Sequence, residues 1–118
     1  MEAKQSECLF CKIAAGEVSA EIVHESDNVV AFRDVNPQAP THILLIPRDH
    51  IESAARISDD HEGLMVELIK GAAHLAKAEG VHDSGWRLVT NVGRDAGQSV
   101  QHLHFHLLGG RGLGWPPG

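Results

Sequence analysis

The chain has 118 residues, the length of one domain with a genuine hydrophobic core. Its apolar fraction of 42% and charged fraction of 22% are ordinary for a globular protein, and its net charge of −6 argues against a nucleic-acid polymer as partner. No apolar run is long enough to span a membrane and the opening MEAKQSEC has no signal-peptide core, so we expect a cytoplasmic protein without a membrane partner.

The first half of the chain predicts one short helix and three strands. Ser6 is a candidate N-cap for the helix, and Gly16 is its expected stop. A turn-like Ser-Asp-Asn separates the first two strands, and a loop bounded by two prolines precedes the third. The predicted strands are Ile22–Glu25, Val29–Asp34 and His42–Ile46.

The second half predicts one long helix and two further strands. Asp59 and Glu62 resemble a capping box, apolar residues then recur at helical spacing, and Gly80 ends the helix. The remaining segments are a strand at Trp86–Val92, a polar loop at Gly93–Gln98, a strand at Val100–Leu108 and an irregular tail at Gly109–Gly118. This order predicts a single α+β domain over residues 1–118, an antiparallel sheet of about five strands with the helices on one face.

The last predicted strand lies within QSVQHLHFHLLGG, where three histidines alternate with apolar residues. Alternation is the period of a strand, so the apolar residues should enter the core and His102, His104 and His106 should share the other face. Neighbouring histidines would stand ~7 Å apart at the backbone. Such a row is a solvated strand face, a His-x-His metal site, or a cluster that handles phosphate or protons.

Two other features bear on phosphate and nucleotide chemistry. Asp34 follows a strand, where a carboxylate is either an ordinary turn residue or an acceptor for ribose hydroxyls. The loop before the histidines, with Asn91 ahead of it, has glycines that let backbone N–H groups approach a phosphate, and Ser99 adds a hydroxyl.

Cys8 and Cys11 form a C-x-x-C pair, and a cytosolic pair of this kind has three readings. It is half of a tetrahedral zinc site completed by histidines from elsewhere, two inert buried thiols, or a redox pair, although no strand precedes Cys8 as a redox motif requires. His42 and His50, each shortly after a proline, are better candidates for a role than the other histidines. No role is assigned to His24, His61, His74 and His82.

Taken together, these segments resemble the histidine-triad (HIT) superfamily. QSVQHLHFHLLGG is similar to its signature, in which three histidines alternate with apolar residues. The likeness extends from about Phe10 to Pro117 through AFRDVNPQAPTHILLIP, GRDAGQSV and GGRGLGWPPG, and it points to the Hint branch. The resemblance implies a HIT-like fold and a homodimer whose tail, residues 109–118, approaches an active site.

The resemblance also implies roles for individual residues. His104 would be the nucleophile, His106 and Ser99 phosphate contacts, and His42 a histidine behind them. The implied nucleotide site consists of Phe10, Ile13, Phe32, Asp34, Val35, Leu44, Asn91, Gly97, Gln98, Ser99, His104, His106 and Trp115. Relatives with this C-x-x-C hold a structural zinc with two histidines, which implies the ligands Cys8, Cys11, His50 and His102.

The implied function is that of a purine nucleoside phosphoramidase. Such a hydrolase cleaves the P–N bond of a nucleoside 5′-monophosphate amine, of AMP or GMP type, through a covalent nucleotidyl-histidine, without a cofactor for catalysis. The alternatives are a dinucleoside polyphosphate hydrolase, a nucleotide-binding regulatory module with little catalysis, and a metal hydrolase with His102 and His104 on zinc.

Overall fold

The computed structural model describes residues 7–118, so the predicted N-cap Ser6 lies outside the described residues. Within residues 8–118, two α-helices and five strands form the domain, with two single turns of 3₁₀ helix before the long helix. In chain order they are α1 (Leu9–Ala14), β1 (Ile22–Glu25), β2 (Val29–Arg33), β3 (Thr41–Pro47), the 3₁₀ turns Ala54–Arg56 and Asp59–His61, α2 (Glu62–Ala78), β4 (Trp86–Val89) and β5 (Phe105–Gly109).

The five strands form one sheet in the order β1-β2-β3-β5-β4, and every neighbouring pair is antiparallel. Hairpin-like connections join β1 to β2 and β2 to β3, while α2 carries the chain across the sheet before β4. The predicted α+β class, with about five antiparallel strands, one long helix and one short helix, is confirmed.

The two faces of the sheet are covered by different helices. Leu68, Ala72 and Leu75 of α2 pack on one face against alternate strand residues, among them Leu45 and Leu107. The opposite alternate residues, Val30, Phe32, Leu44 and Ile46, pack against Phe10 and Ile13 of α1. The prediction that both helices share one face is therefore wrong. The continuously buried pattern of β2 and β3 follows from this two-sided cover.

Element ends differ from the sequence prediction where side chains replace backbone partners. Cys8 caps α1, because its sulfur accepts from the N–H of Cys11. The capping box before α2 joins Ser58 and His61, so the predicted Asp59–Glu62 pair is wrong. The hydroxyl of Thr90 donates to the carbonyl oxygen of His104 at 2.8 Å. That side-chain bond lies where a backbone hydrogen bond between β4 and β5 would otherwise continue the sheet. Accordingly, β4 ends at Val89 and β5 begins at Phe105.

The observed strand β5 is therefore shorter than the strand that the alternating histidine pattern predicted. His106 lies in β5, whereas His102 and His104 precede it. The N–H of Leu103 donates to the carbonyl of Ile51 at 2.6 Å, and this contact replaces a strand partner. Leu103 and Leu107 are buried as predicted. None of the helices between residues 7 and 118 combines the length and apolar character that a membrane crossing requires.

Candidate active site and metal centre

The predicted nucleophile lies at the floor of a cavity of about 320 Å³ on the sheet face opposite α2. Its lining includes His104, His106, Ser99 and Asp34. The α1 helix closes one side, because the N-terminal cap at Cys8 turns the helix so that Phe10 and Ile13 face the sheet. The cavity therefore joins polar groups from the C-terminal half to an apolar wall from the N-terminal half.

His104 is buried and its ring has one defined tautomer. Its Nδ1 lies 2.7 Å from the backbone carbonyl oxygen of His102, an acceptor, so Nδ1 carries the proton. The lone pair is consequently on Nε2. The edge-on ring of Phe10, with centroids 5.0 Å apart and an interplanar angle of 84°, fixes the imidazole plane. The nitrogen with nucleophilic character is thus set by backbone geometry.

His106 is held in the opposite tautomer by a chain of hydrogen bonds. The backbone N–H of Gln38 donates to Nδ1 of His42 at 3.0 Å, so the proton of His42 is on Nε2. That Nε2–H donates to Nδ1 of His106 at 2.9 Å. The remaining proton of His106 is then on Nε2. This ring can donate a hydrogen bond to a phosphoryl oxygen while it stays neutral.

The imidazole rings of His42 and His106 both favour the neutral form. Burial, together with the neighbouring His104 and His42, lowers the pKa of His106 to about 4. Burial also lowers the pKa of His42, against the opposing effect of the Asp34 carboxylate. The tautomers derived above therefore hold at neutral pH.

Asp34 lies at the rim of this cavity. One carboxylate oxygen accepts from the N–H of Asn36 at 2.8 Å, and the other is 3.4 Å from Nε2 of His42. The first contact belongs to an ordinary Asx turn after β2. Because the side chain is only partly exposed and still lines the cavity, the turn leaves a carboxylate oxygen facing the space where a ligand would lie.

A second group of side chains, separate from the hydrogen-bonded histidines of the cavity, could ligate a metal ion. Sulfur and nitrogen atoms of Cys8, Cys11, His50 and His102 all lie within 4.8 Å of one another. Nδ1 of His102 is 3.3 Å from Sγ of Cys8 and 3.5 Å from Sγ of Cys11, and Nδ1 of His50 is 3.3 Å from Sγ of Cys11.

The chemistry of this cluster fits a tetrahedral metal ion. Nε2 of His102 donates to the carbonyl oxygen of Pro47 at 2.8 Å, so the lone pair on Nδ1 faces the sulfurs. Burial lowers the pKa of His102 to about 4, which keeps that ring neutral. Burial and the neighbouring Cys8 raise the pKa of the Cys11 thiol to about 11, so an ion would have to displace its proton. Two thiolates and two imidazoles are a set that suits Zn²⁺.

A profile of the HIT domain matches residues 15–113 of this chain. The chain belongs to the HIT family. It is 47% identical over 108 residues to the purine nucleoside phosphoramidase of Escherichia coli (strain K12), an alignment that covers 92% of this chain and 91% of that protein. It is 46% identical over 115 residues to the 14 kDa zinc-binding protein of Zea mays, covering 96% of this chain and 89% of the relative.

Solved structures of other HIT proteins have the same fold. A HIT family hydrolase from Legionella pneumophila Philadelphia 1 superposes with a TM-score of 0.94 at 52% identity, covering 95% of this chain and 100% of that chain. A histidine triad protein from Clostridium difficile has a TM-score of 0.89 at 41% identity, with 97% of each chain covered. The resemblance stated from the sequence motifs is therefore confirmed.

The HIT cavity brings together most of the nucleotide-binding residues expected from the sequence. Nine of them line it, counting Val35, whose side chain is fully exposed at the mouth. They are Phe10, Ile13, Phe32, Asp34, Val35, Leu44, Ser99, His104 and His106, with Asn91 lying instead in an adjoining cavity that also contacts His106.

Three further expected residues line neither cavity. The N–H groups of Gly97 and Gln98 already donate to the carbonyls of Arg94 and Gly93 at 3.0 Å, so they close the loop on itself. Trp115 is 83% exposed and lines neither cavity. The expected cradle of Gly97–Ser99 amides is thus reduced to Ser99, because the tight turn uses the two preceding donors.

The sequence did not predict the residues that set the histidine tautomers. The N–H of Gln38 and the carbonyl oxygens of His102 and Pro47 are backbone groups, which residue types do not reveal. The minor alternative of one metal ion on His102 and His104 gains no support from the described residues. Nδ1 of His104 is bonded to a carbonyl, and neither metal-ligand group within residues 7–118 contains His104.

Proposed function

We propose that this HIT protein hydrolyses purine nucleoside 5′-phosphoramidates through a covalent nucleotidyl-histidine intermediate. The observation that carries the proposal is the hydrogen bond from Nδ1 of His104 to the carbonyl of His102, which leaves Nε2 as a nucleophile in a cavity it shares with Ser99 and His106. The phosphoramidase of E. coli, 47% identical over 92% of this chain, supports the same reaction.

In the first step, the lone pair on Nε2 of His104 forms a bond to phosphorus. The P–N bond to the amine breaks, and its electron pair stays on the departing nitrogen. That nitrogen takes one proton through the hydroxyl of Ser99, which regains a proton from solvent. Nε2–H of His106 donates to a phosphoryl oxygen and stabilises the charge that develops there.

In the second step, water attacks the phosphorus of the nucleotidyl-histidine. The hydroxyl group stays on phosphorus, the proton passes to solvent, and the electron pair of the broken bond returns to Nε2 of His104. The proton released here balances the one taken up in the first step. The net reaction consumes one water and yields the nucleoside monophosphate and the free amine.

The nucleotide would bind along the wall that α1 and the sheet form. Phe10, Phe32 and Leu44 offer an apolar surface for a purine, and the Asp34 carboxylate, which lines the same cavity, can accept from ribose hydroxyls. Nothing in this arrangement favours adenine over guanine.

The test is mass spectrometry of the protein quenched during turnover of an adenosine 5′-phosphoramidate. We expect the peptide containing His104 to gain the mass of one nucleoside monophosphate. The His104→Ala variant should lose turnover and the adduct while it retains nucleotide binding, and the exposed His74→Ala variant on α2 should behave as wild type. Turnover by His104→Ala near the wild-type rate contradicts the covalent scheme.

The same assay separates the alternatives. Faster cleavage of a diadenosine polyphosphate than of the phosphoramidate would assign the protein to the dinucleoside polyphosphate hydrolases. Tight binding of nucleotide without turnover of either compound would assign the protein to the nucleotide-binding regulatory modules with little catalysis.

We further propose that Cys8, Cys11, His50 and His102 hold a structural zinc ion, which would cross-link α1 to the segment after β3 and to the segment before β5. The distances of 3.3–3.5 Å between sulfur and nitrogen atoms support this, as does the zinc-binding relative of Zea mays. Metal analysis of the purified protein should find one zinc per chain, and the Cys8→Ser variant should contain less.

We also propose a homodimer in which two sheets join. β4 pairs with β5 alone within the described chain, so its outer edge has free backbone groups. Ile69, 51% exposed, lies about 200° around α2 from Glu67, which bonds Ser26 and Asn28 beside the opposite edge. The apolar side chain therefore faces the β4 flank. The Ile69→Glu variant should shift sedimentation from dimer towards monomer, whereas His74→Ala should not.

A further inference from the structure

The loop that precedes Ser99 is not held in place by the hydrophobic core. Every residue from Val92 to Gly97 is exposed. The N–H of Gly97 donates to the carbonyl of Arg94 at 3.0 Å, which closes one turn but does not attach that turn to the rest of the domain. The next side chain, that of Gln98, is half-buried and provides the attachment.

The side-chain amide of Gln98 uses its oxygen and both of its N–H groups in contacts with the backbone. Its Oε1 accepts from the N–H of Gly93 at 3.0 Å, and its Nε2 donates to the carbonyl oxygens of Glu52 at 2.9 Å and Val100 at 3.0 Å. An N–H must face an acceptor and a carbonyl must face a donor, so these partners also fix the orientation of the amide. Both of its N–H groups are in use, so none is left to donate to a phosphate.

The segment after β3, which accepts from Gln98, also supports the nucleophile. One residue before that acceptor, the carbonyl of Ile51 accepts from the N–H of Leu103 at 2.6 Å. Leu103 directly precedes His104, just as Gln98 directly precedes Ser99. Two successive carbonyl groups therefore support the two residues that the proposed reaction uses, and they set the distance between those residues.

We infer that Gln98 is a positioning residue, whose side chain holds the hydroxyl of Ser99 where it can pass a proton to the departing amine. The inference rests on the proposed function. Ser99 and His104 line the same cavity and would contact the reacting atoms, whereas Gln98 acts only through Ser99. Because the loop is exposed, removal of the amide would let the hydroxyl move away from the nitrogen that it must protonate.

The test is a double-mutant cycle on the single-turnover formation of nucleotidyl-His104 from an adenosine 5′-phosphoramidate of an alkylamine. Gln98→Met keeps the length of the side chain but removes its three hydrogen bonds, and we expect it to lower the rate roughly 10- to 100-fold. Ser99→Ala should lower the rate at least as much. In the Ser99→Ala protein, Gln98→Met should cause no further loss, because the hydroxyl that it positions is already absent.

A second substrate separates proton delivery from a general loosening of the site. The p-nitrophenyl ester of AMP releases a phenolate that needs no proton, so Gln98→Met should react with it at the wild-type rate. The matched control is Gln101→Met, the same replacement at an exposed glutamine of the same segment. This control should keep the wild-type rate on both substrates.

Hydrogen exchange tests the inference on the wild-type protein, independently of how any variant folds. The amide of Gly93 donates to Oε1 of Gln98, so it should exchange slowly. The exposed amide of Ala96 makes no hydrogen bond within residues 7–118 and should exchange quickly.

The possible failures are distinguishable. If the wild-type protein does not react with the phosphoramidate, the proposed function is contradicted and the inference with it. The inference alone is overturned by a wild-type rate in Gln98→Met or in Ser99→Ala, or by a further loss when the two changes are combined. An equal loss on the p-nitrophenyl ester in Gln98→Met, or exchange of the Gly93 amide as fast as that of Ala96, also overturns it while the proposed function stands.

Discussion

Replacing His42 by Phe should lower kcat without abolishing it. The substitution keeps a ring in a buried position but removes Nε2–H, which holds Nδ1 of His106 as an acceptor at 2.9 Å. His106 is then free to place its proton on Nδ1, and the donor to the phosphoryl oxygen is lost in that tautomer. Leaving a buried acceptor unpaired costs roughly 1–3 kcal/mol, which corresponds to a decrease in kcat of roughly 5- to 150-fold.

The pH profile separates this tautomer effect from an effect of charge. The pKa of His106 is lowered to about 4, so the ring is neutral throughout the range from pH 6 to 8. The loss in His42→Phe should therefore be the same across that range in single-turnover measurements of nucleotidyl-His104 formation. His42→Gln, whose amide both donates and accepts, should recover part of the rate. A wild-type rate in His42→Phe, or a deficit that disappears as pH rises, would refute the reasoning.

Three further predictions concern stability. The Arg33 guanidinium lowers the pKa of the Glu79 carboxyl, so the ion pair stabilises the fold above the ordinary pKa of 4.5 and loses this effect as pH falls through the lowered value. Glu79→Gln should thus cost about 1 kcal/mol of unfolding free energy at pH 7 and nearly nothing at pH 3, and a cost that grows in acid would contradict it. Gly110→Ala should destabilise the fold by roughly 1–3 kcal/mol, because φ is +90° there and a Cβ would lie 2.9 Å from Pro40; an unchanged denaturation midpoint would exclude this clash. Removal of bound metal by a chelator should lower the thermal midpoint of the wild-type protein and leave that of Cys11→Ser unchanged, whereas equal shifts in both would mean that the chelator acts elsewhere.

Local pattern was sufficient to predict most of the fold. The apolar period of α2 and the stop at Gly80, with φ of +77°, depend on residues close in sequence. The errors came from long-range contacts. The Thr90 hydroxyl ends the histidine strand from 14 residues away, and which face α1 covers is decided by packing of Phe10 against Phe32.

In the candidate site, too, some features could be predicted from sequence motifs and others depend on contacts that the sequence does not reveal. The family motif predicted His104, Ser99 and four candidate metal ligands, and the structure brings the ligating atoms of these four side chains within 4.8 Å of one another. The motif could not reveal that the Gly97 amide is used inside its own turn. Nor could it reveal that the Gln98 amide donates to the carbonyl of Glu52, since these two residues lie 46 positions apart in the sequence.

The position of Phe10 couples the candidate metal cluster to the adjacent nucleotide cavity. The phenyl ring of Phe10 contacts the imidazoles of His102 and His104 and also lines the proposed nucleotide cavity, while the helix that carries it begins at a sulfur of the candidate metal cluster. A metal ion bound to the cysteines and a nucleotide packed against the Phe10 ring would both stabilise the same position of α1. Thermodynamic reciprocity then requires that whatever factor the ion adds to nucleotide affinity, the nucleotide returns to the ion.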